Sequence, residues 1–329
     1  MPSEFSSYRA AFSTKKAWCL AFSILSLALF SACTVALAAG LAKDDKPSTV
    51  QNLALLQNVS FTSVLALPVK NQGMKLAYGK AALQFGLLSL PEASANAKPP
   101  LVIFVHGGCW LNAYDVEHSK ALSQALTEAG YAVWSLEYRR VGDEGGGWPG
   151  SLNDIVQGID YAQAQFEQYG VDVNRIALMG HSAGGQLALL AGEKLAGEKI
   201  AGEKLAGEKL AAGKKVQQVQ AVIGLAAITD MASYSLGTNS CQTATAKFMG
   251  ATVEQAPELY QQASPSQGKA HPKTVLLQGA ADQIVPVTQA TDSGMPYRTF
   301  DHLGHFDWIH PQSAAYPHLI FTLQELLPL

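Results

Sequence analysis

Residues 175–191 read RIALMGHSAGGQLALLA, and the order of residue types in this stretch decides the fold. Ile176 to Met179 form a short unbroken apolar run, the mark of a strand covered on both faces of a parallel sheet. Gly180-His181-Ser182-Ala183-Gly184 then sets small residues around a serine, and residues 185–191 are helix-forming. A strand that turns at once into a helix leaves no room for side chains at the flanking positions, so glycine is needed there. The same turn leaves the Ser182 hydroxyl projecting above the sheet. Behind it, the helix amino terminus supplies N–H groups and a positive dipole end to any developing oxyanion.

Working outward, the alternation of strand and helix continues in both directions. Residues 75–90 read as one or two early strands, and 101–105 as a fully apolar buried strand. Residues 119–129 have helical spacing, 131–136 return to strand, and 142–150 form a glycine-rich loop from which Ser151 caps a helix running to about Phe166. Strands are predicted again at 219–228, 274–278 and 297–300, with a terminal helix at 313–327. Such alternation specifies an α/β fold: a mostly parallel central sheet with helices on both faces. One domain accounts for residues 39–329, with 43–60 as a polar leader of low order.

Residues 192–211 interrupt this pattern with four tandem copies of Gly-Glu-Lys-(Leu/Ile)-Ala. An apolar residue every fifth position advances about 140° per step on a helix, so Leu195, Ile200, Leu205 and Leu210 walk around the cylinder without making a stripe. The segment reads as a tandem insert that extends a surface helix or loop.

The amino terminus has a different character. Arg9, Lys15 and Lys16 precede residues 17–42, which carry no charge, the layout of an export signal. Ala36-Leu37-Ala38 offers a cleavage site, giving a signal peptide over 1–38. Phe30-Ser31-Ala32-Cys33 offers instead a lipoprotein signal with Cys33 lipidated, and the apolar run is also long enough for an uncleaved anchor. Each reading exports the body to the periplasm or beyond, and membrane contact is expected only through that lipid or anchor. Of four cysteines, Cys109 and Cys241 remain in the body, where an oxidising compartment allows them to pair.

The composition excludes some functions. With 329 residues, 48% hydrophobic and 15% charged, the chain can bury a large core. A net charge of −3 offers no basic surplus for gripping nucleic acid. Residues 142–147 lack the Lys-Ser/Thr that a phosphate loop requires. No metal-binding pattern is present, and neither a metal nor a cofactor is expected.

A serine hydroxyl needs a base, and the base needs a group that fixes its tautomer. Asp282, in GAADQIVP at 279–286, and His305, in LGHF at 303–306, follow predicted strands in the order serine, acid, histidine. Asp230 is the alternative acid. Asp292 and Asp301 read as solvated loop charges, His302 as a neighbour of the base, and His310 and His318 as surface or helix residues. His106-Gly107-Gly108 follows the strand 101–105, where the second oxyanion donor is expected, so Gly107, Gly108 and Ala183 are the candidate oxyanion N–H donors. His106 and His181 shape those loops in this reading. Cys109, Trp110, Tyr114, Trp148, Phe306 and Trp308 flank them and are candidate pocket residues.

Taken together, HGGCW (106–110), EYRR (137–140), GGWPGSLND (146–154), GHSAGG (180–185), GAADQIVP and LGHFDW (303–308) resemble the α/β-hydrolase superfamily. The resemblance is to its esterase and arylformamidase-like branch, related to hormone-sensitive lipase, and covers about 75–320. It implies an α/β-hydrolase fold that cleaves a small carboxylic ester or amide through an acyl-enzyme, with Ser182 as nucleophile, Asp282 as orienting carboxylate and His305 as general base. An exported peptidase or formamidase on the same fold is the alternative, and a non-catalytic surface binding protein is a third. Cys109 and the tandem insert depart from the family pattern without touching the proposed triad.

Overall fold

The computed structural model describes residues 55–92, 98–201 and 219–329, with the side chains of 197–201 left aside. All of these fall in one unit, Leu53–Leu329. The signal, lipidation and anchor readings, and most of the tandem insert, lie outside the described residues.

A central sheet of eight strands has the order β1-β2-β4-β3-β5-β6-β7-β8. The strands are β1 (Met74–Ala77), β2 (Phe85–Ser89), β3 (Pro100–Val105), β4 (Ala132–Leu136), β5 (Asp172–His181), β6 (Ala221–Leu225), β7 (Thr274–Gly279) and β8 (Tyr297–Phe300). Pairing is antiparallel from β1 to β2 and from β2 to β4, and parallel from β4 across to β8. β3 shows why the apolar runs are unbroken. Leu101, Ile103 and Val105 enter the core on one face of the sheet, while Val102 and Phe104 enter the core on the other. A strand in that position has no solvent side on which to place a polar residue.

Helices cover both faces. On one, α3 (Gly150–Gln165) contributes Leu152, Ile155 and Ile159, and α4 (Ala183–Ala201) contributes Leu187, Leu190 and Leu195. On the other, α2 (Lys120–Glu128) buries Leu122 and Leu126, and α9 (Ala315–Leu326) buries Leu319 and Leu323. Three short helices, α5 (Met231–Ser235), α6 (Ser240–Met249) and α7 (Pro257–Gln262), follow β6, and α8 (Thr288–Thr291) follows β7. Asn239 and Gln242 form a reciprocal capping box that starts α6.

Two sequence expectations change and a third is narrowed. Residues 43–60 were expected to be a leader of low order, yet Leu56 bridges to Ser313 and Ser60 caps a first helix, α1 (Phe61–Leu65). Long-range contacts order residues 55–60, the described part of that stretch, whose own sequence shows no period. Ser151 lies inside α3 and does not cap it, because its hydroxyl donates to the Arg139 carbonyl at 2.6 Å. α4 continues into the tandem insert as far as Ala201, so the insert extends a helix at its start.

Candidate active site

Ser182 sits between the last residue of β5 and the first of α4, with φ 56°. That left-handed conformation is costly for a residue with a Cβ and persists only where its surroundings enforce it. Its N–H is held by the Leu225 carbonyl at 2.9 Å. The two motif glycines are required by close approach. A Cβ on Gly180 would lie 2.2 Å from the Gly184 carbonyl oxygen, and one on Gly184 would lie 2.2 Å from that of His106.

The same approach brings the His106-Gly107-Gly108 loop against the turn, since a Cβ on Gly107 would stand 3.1 Å from Ser182 Cβ. The N–H groups of Gly107 and Gly108 have no acceptor among the described residues. Ala183 opens α4, where first-turn N–H groups have no intrahelical partner. Gly107 and Ala183 thus flank the serine, and Gly108 follows Gly107 in the same loop.

Asp282 and His305 are brought together. His305 Nδ1 donates to Asp282 Oδ2 at 2.7 Å, since a carboxylate can only accept, which leaves Nε2 as the ring nitrogen that can act as a base. The Ile284 and Val285 N–H groups donate to Asp282 Oδ1 at 2.8 and 2.9 Å, and Gln278 Nε2 to Oδ2 at 3.2 Å. His305 is tied to the serine turn through its neighbour: His181 Nε2 donates to the His305 carbonyl at 3.0 Å, and the two rings are 4.6 Å apart. Burial, with the nearby His305 second, holds the His181 pKa well below its ordinary value. His181 is therefore neutral, and its Nδ1 has no partner in its buried position.

The rivals have other roles. Asp230 caps α5 by accepting from Ser233 N–H at 3.0 Å. Asp292 accepts from the Thr291 hydroxyl in an exposed position, and Asp301, His302 and His318 are exposed. His310, expected at the surface, is buried, and burial lowers its pKa.

His106 belongs to a network that sequence reasoning missed. Its Nε2 meets Glu137 Oε1 at 3.0 Å, and Arg140 Nη1 reaches the same oxygen at 3.0 Å. Val116 N–H donates to Glu137 Oε2 at 3.0 Å, and Tyr138 stacks on the His106 ring at 4.5 Å and donates its hydroxyl to the His106 carbonyl. Burial alone would raise the Glu137 pKa, but His106, Arg140 and the Val116 N–H together bring it below the ordinary value. The signal was present in EYRR, but nothing local in that motif says that its glutamate faces the glycine loop.

The candidate pocket residues divide. Trp110 is fully buried, stacks on Phe248 at 4.8 Å and donates to Gln186 Oε1, while Trp308 packs edge-on against Phe300. Both are core residues, each indole packed against a neighbouring aromatic ring. Trp148 lines a cavity of about 770 Å³ with Leu152, Leu190, Met249 and Pro272. Leu190 and Ala196, which also line that cavity, lie roughly 10 to 20 Å along α4 from its start, so the cavity flanks the helix away from Ser182. Tyr114 and Phe306 are half-buried beside the site: Tyr114 abuts Gly108, and Phe306 packs edge-on to His305 at 5.0 Å. Cys109 is bonded to Cys241, with Cα atoms 4.9 Å apart, which ties the glycine loop to α6.

A sheet of this order, with a strained serine between β5 and α4 and an Asp–His pair at the ends of later strands, defines an α/β-hydrolase. Residues 88–293 match the BD-FAE family, and the chain belongs to that family. Among curated proteins, esterase LipC of Mycobacterium tuberculosis is 28% identical over 201 residues, which is 58% of this chain and 46% of that protein. Isoprenylcysteine alpha-carbonyl methylesterase ICME of Arabidopsis thaliana is 36% identical over 108 residues, 32% of this chain and 23% of that protein. The matches thus span less than half the length of either relative. Esterase B from Lactobacillus rhamnosis has the same fold, with a TM-score of 0.65 and 19% identity over 80% of this chain and 88% of its own. A carbohydrate esterase from gut microbiota aligns with a TM-score of 0.61 at 20% identity, over 78% of this chain and 98% of that truncated form.

Proposed function

We propose that this protein is a serine hydrolase that cleaves small carboxylic esters through an acyl-enzyme. The observation that carries the reading is the 2.7 Å bond from His305 Nδ1 to Asp282 Oδ2 beside the strained turn at Ser182. His305 Nε2 takes the hydroxyl proton as Ser182 Oγ attacks the ester carbonyl carbon. The carbonyl oxygen becomes an oxyanion facing the N–H groups of Gly107, Gly108 and Ala183. When the tetrahedral species collapses, the bond to the leaving oxygen breaks and that oxygen takes the proton from His305. Water then attacks the acyl carbon by the same route, giving the carboxylic acid and restoring Ser182. The esterases among the relatives support ester over amide chemistry.

Hydrolysis of p-nitrophenyl acetate, butyrate and octanoate by the full chain, beside Ser182→Ala, tests this. Wild type should turn over at least one of the esters and be labelled by a fluorophosphonate, and the variant should lose about 10⁴-fold or more in kcat with no labelling. Equal rates in folded wild type and variant would refute the assignment.

A further inference from the structure

Asp307 is fully buried two residues beyond His305 and belongs to neither the Asp–His pair nor the glycine loop. Its Oδ2 accepts from Gly304 N–H at 2.6 Å, which closes the turn that carries His305. The same oxygen accepts from Asn58 N–H at 2.7 Å, and Oδ1 accepts from Val59 N–H at 3.0 Å. A carboxylate kept out of water is tolerable only when its oxygens are met by donors in this way. One donor, Gly304, would be enough to shape the local turn. The other two come from a strap at residues 56–65, almost the whole described chain away.

The strap is fastened on both sides of that contact. Before it, Leu56 pairs with the segment after the base loop, where Ala314 N–H donates to the Leu56 carbonyl at 2.7 Å. Asn58 has φ 50°, and its Oδ1 stands 2.2 Å from where a Cβ on Gly304 would be, so the two chains touch. After it, Ser60 caps α1, and Phe61 comes to 5.3 Å from the Phe306 ring and 5.7 Å from that of Tyr114. Phe306 flanks His305, and Tyr114 abuts Gly108, so a single strap residue touches the neighbours of both the base and the oxyanion loop.

We propose that Asp307 is a positioning residue: it clasps the strap to the His305 loop, and through Phe61 the clasp sets that loop at a fixed distance from the oxyanion loop. This rests on the hydrolase reading above. Asp307 touches no reacting atom in that reaction; it acts through Gly304 and Phe306 on where His305 Nε2 points.

The test compares full-chain wild type, Asp307→Asn and Phe61→Ala. Steady-state hydrolysis of p-nitrophenyl butyrate, thermal midpoints, and hydrogen exchange of peptides covering 303–309 are measured. Asn keeps the size of the side chain but turns an N–H₂ toward N–H donors. Displacing a catalytic group by about 1 Å costs roughly a hundredfold, so kcat should fall about tenfold to a hundredfold in Asp307→Asn with KM within about twofold. Exchange at 303–309 should speed up in both variants, with a smaller kcat loss, about threefold, for Phe61→Ala. A lowered midpoint with kcat unchanged would mean a structural role only and would overturn the proposal. If Asp307→Asn fails to fold, Phe61→Ala decides by the same two readouts, and no change in either overturns it. If wild type neither cleaves esters nor takes the phosphonate, the hydrolase reading has failed. The exchange data then judge the clasp alone: faster exchange at 303–309 supports it, and unchanged exchange overturns it.

Discussion

His118 provides a measurable link between acid and stability. It lies buried between Phe61, at 5.5 Å, and His106, at 5.4 Å. Burial, and after it the charge of His106, lower its pKa from 6.5 to about 3; Arg140 acts in the same direction, while Glu137 and the Asp115 backbone oppose. Between these two values the unfolded chain binds a proton that the folded chain refuses. Stability from this residue is therefore fully present above 6.5 and falls as the pH drops, with a slope of about 1.4 kcal/mol per unit. From pH 7 to pH 5 the loss from His118 alone works out at about 2 kcal/mol. His181 has the same sign, so the total decline in wild type should be steeper. Urea unfolding of wild type and His118→Asn at pH 7 and pH 5 isolates the His118 share, since the amide does not titrate. The variant should lose about 2 kcal/mol less than wild type over that interval. Equal losses in the two proteins would show that His118 is not held neutral by its burial, and the reasoning would fail.

The remaining predictions concern the reaction and the cross-link. Asp282→Asn should keep the fold but place the wrong tautomer of His305 toward Ser182, lowering kcat on p-nitrophenyl butyrate by about 10³ to 10⁴-fold; a loss under tenfold would argue that Asp282 does not orient the base. Replacing both Cys109 and Cys241 by serine opens a loop with a sequence separation of 132. Loop-closure entropy puts the cost at about 5 kcal/mol, read as a lower urea midpoint under non-reducing conditions, and an unchanged midpoint would show that the bond adds nothing to folding.

How much of this was legible in the sequence depended on how far apart the partners lie along the chain. The run 101–105, the small residues around Ser182, and the fall from strand to helix at Ala183 are local signals. Each is dictated by backbone sterics or by burial on two faces, and their alternation specifies a mostly parallel sheet but not the order of its strands. Ser182, Asp282 and His305 could be proposed together because their order and their positions after strands follow from how a parallel sheet presents its carboxyl ends. The aromatic residues were harder. Trp110 and Trp308 flank the right motifs, but a residue beside a turn can point toward the site or back into the core, and spacing does not distinguish the two. Ser151 failed for a similar reason, since its hydroxyl had a competing acceptor at Arg139.

Asp307 and Asp282 carry that argument to its limit. Both are buried aspartates within or after the β7–β8 region, and both collect backbone N–H donors on their oxygens. Asp282 could be singled out because it follows a predicted strand at the point in the chain order where the acid is expected, and in the structure two of its donors are its own neighbours, Ile284 and Val285. Two of the three donors of Asp307 belong to Asn58 and Val59, whose sequence shows no periodicity and whose own local preference specifies no structure. Glu137 is an intermediate case: a short motif displays it, but its partner His106 lies on a different strand's loop. The residues proposed to do chemistry were therefore visible before those proposed to hold them in place, because the proposed chemistry requires a fixed residue type at a fixed point of the fold. Holding a loop requires only an acceptor of the right reach, and any of the polar residues near the end of the chain could have supplied one.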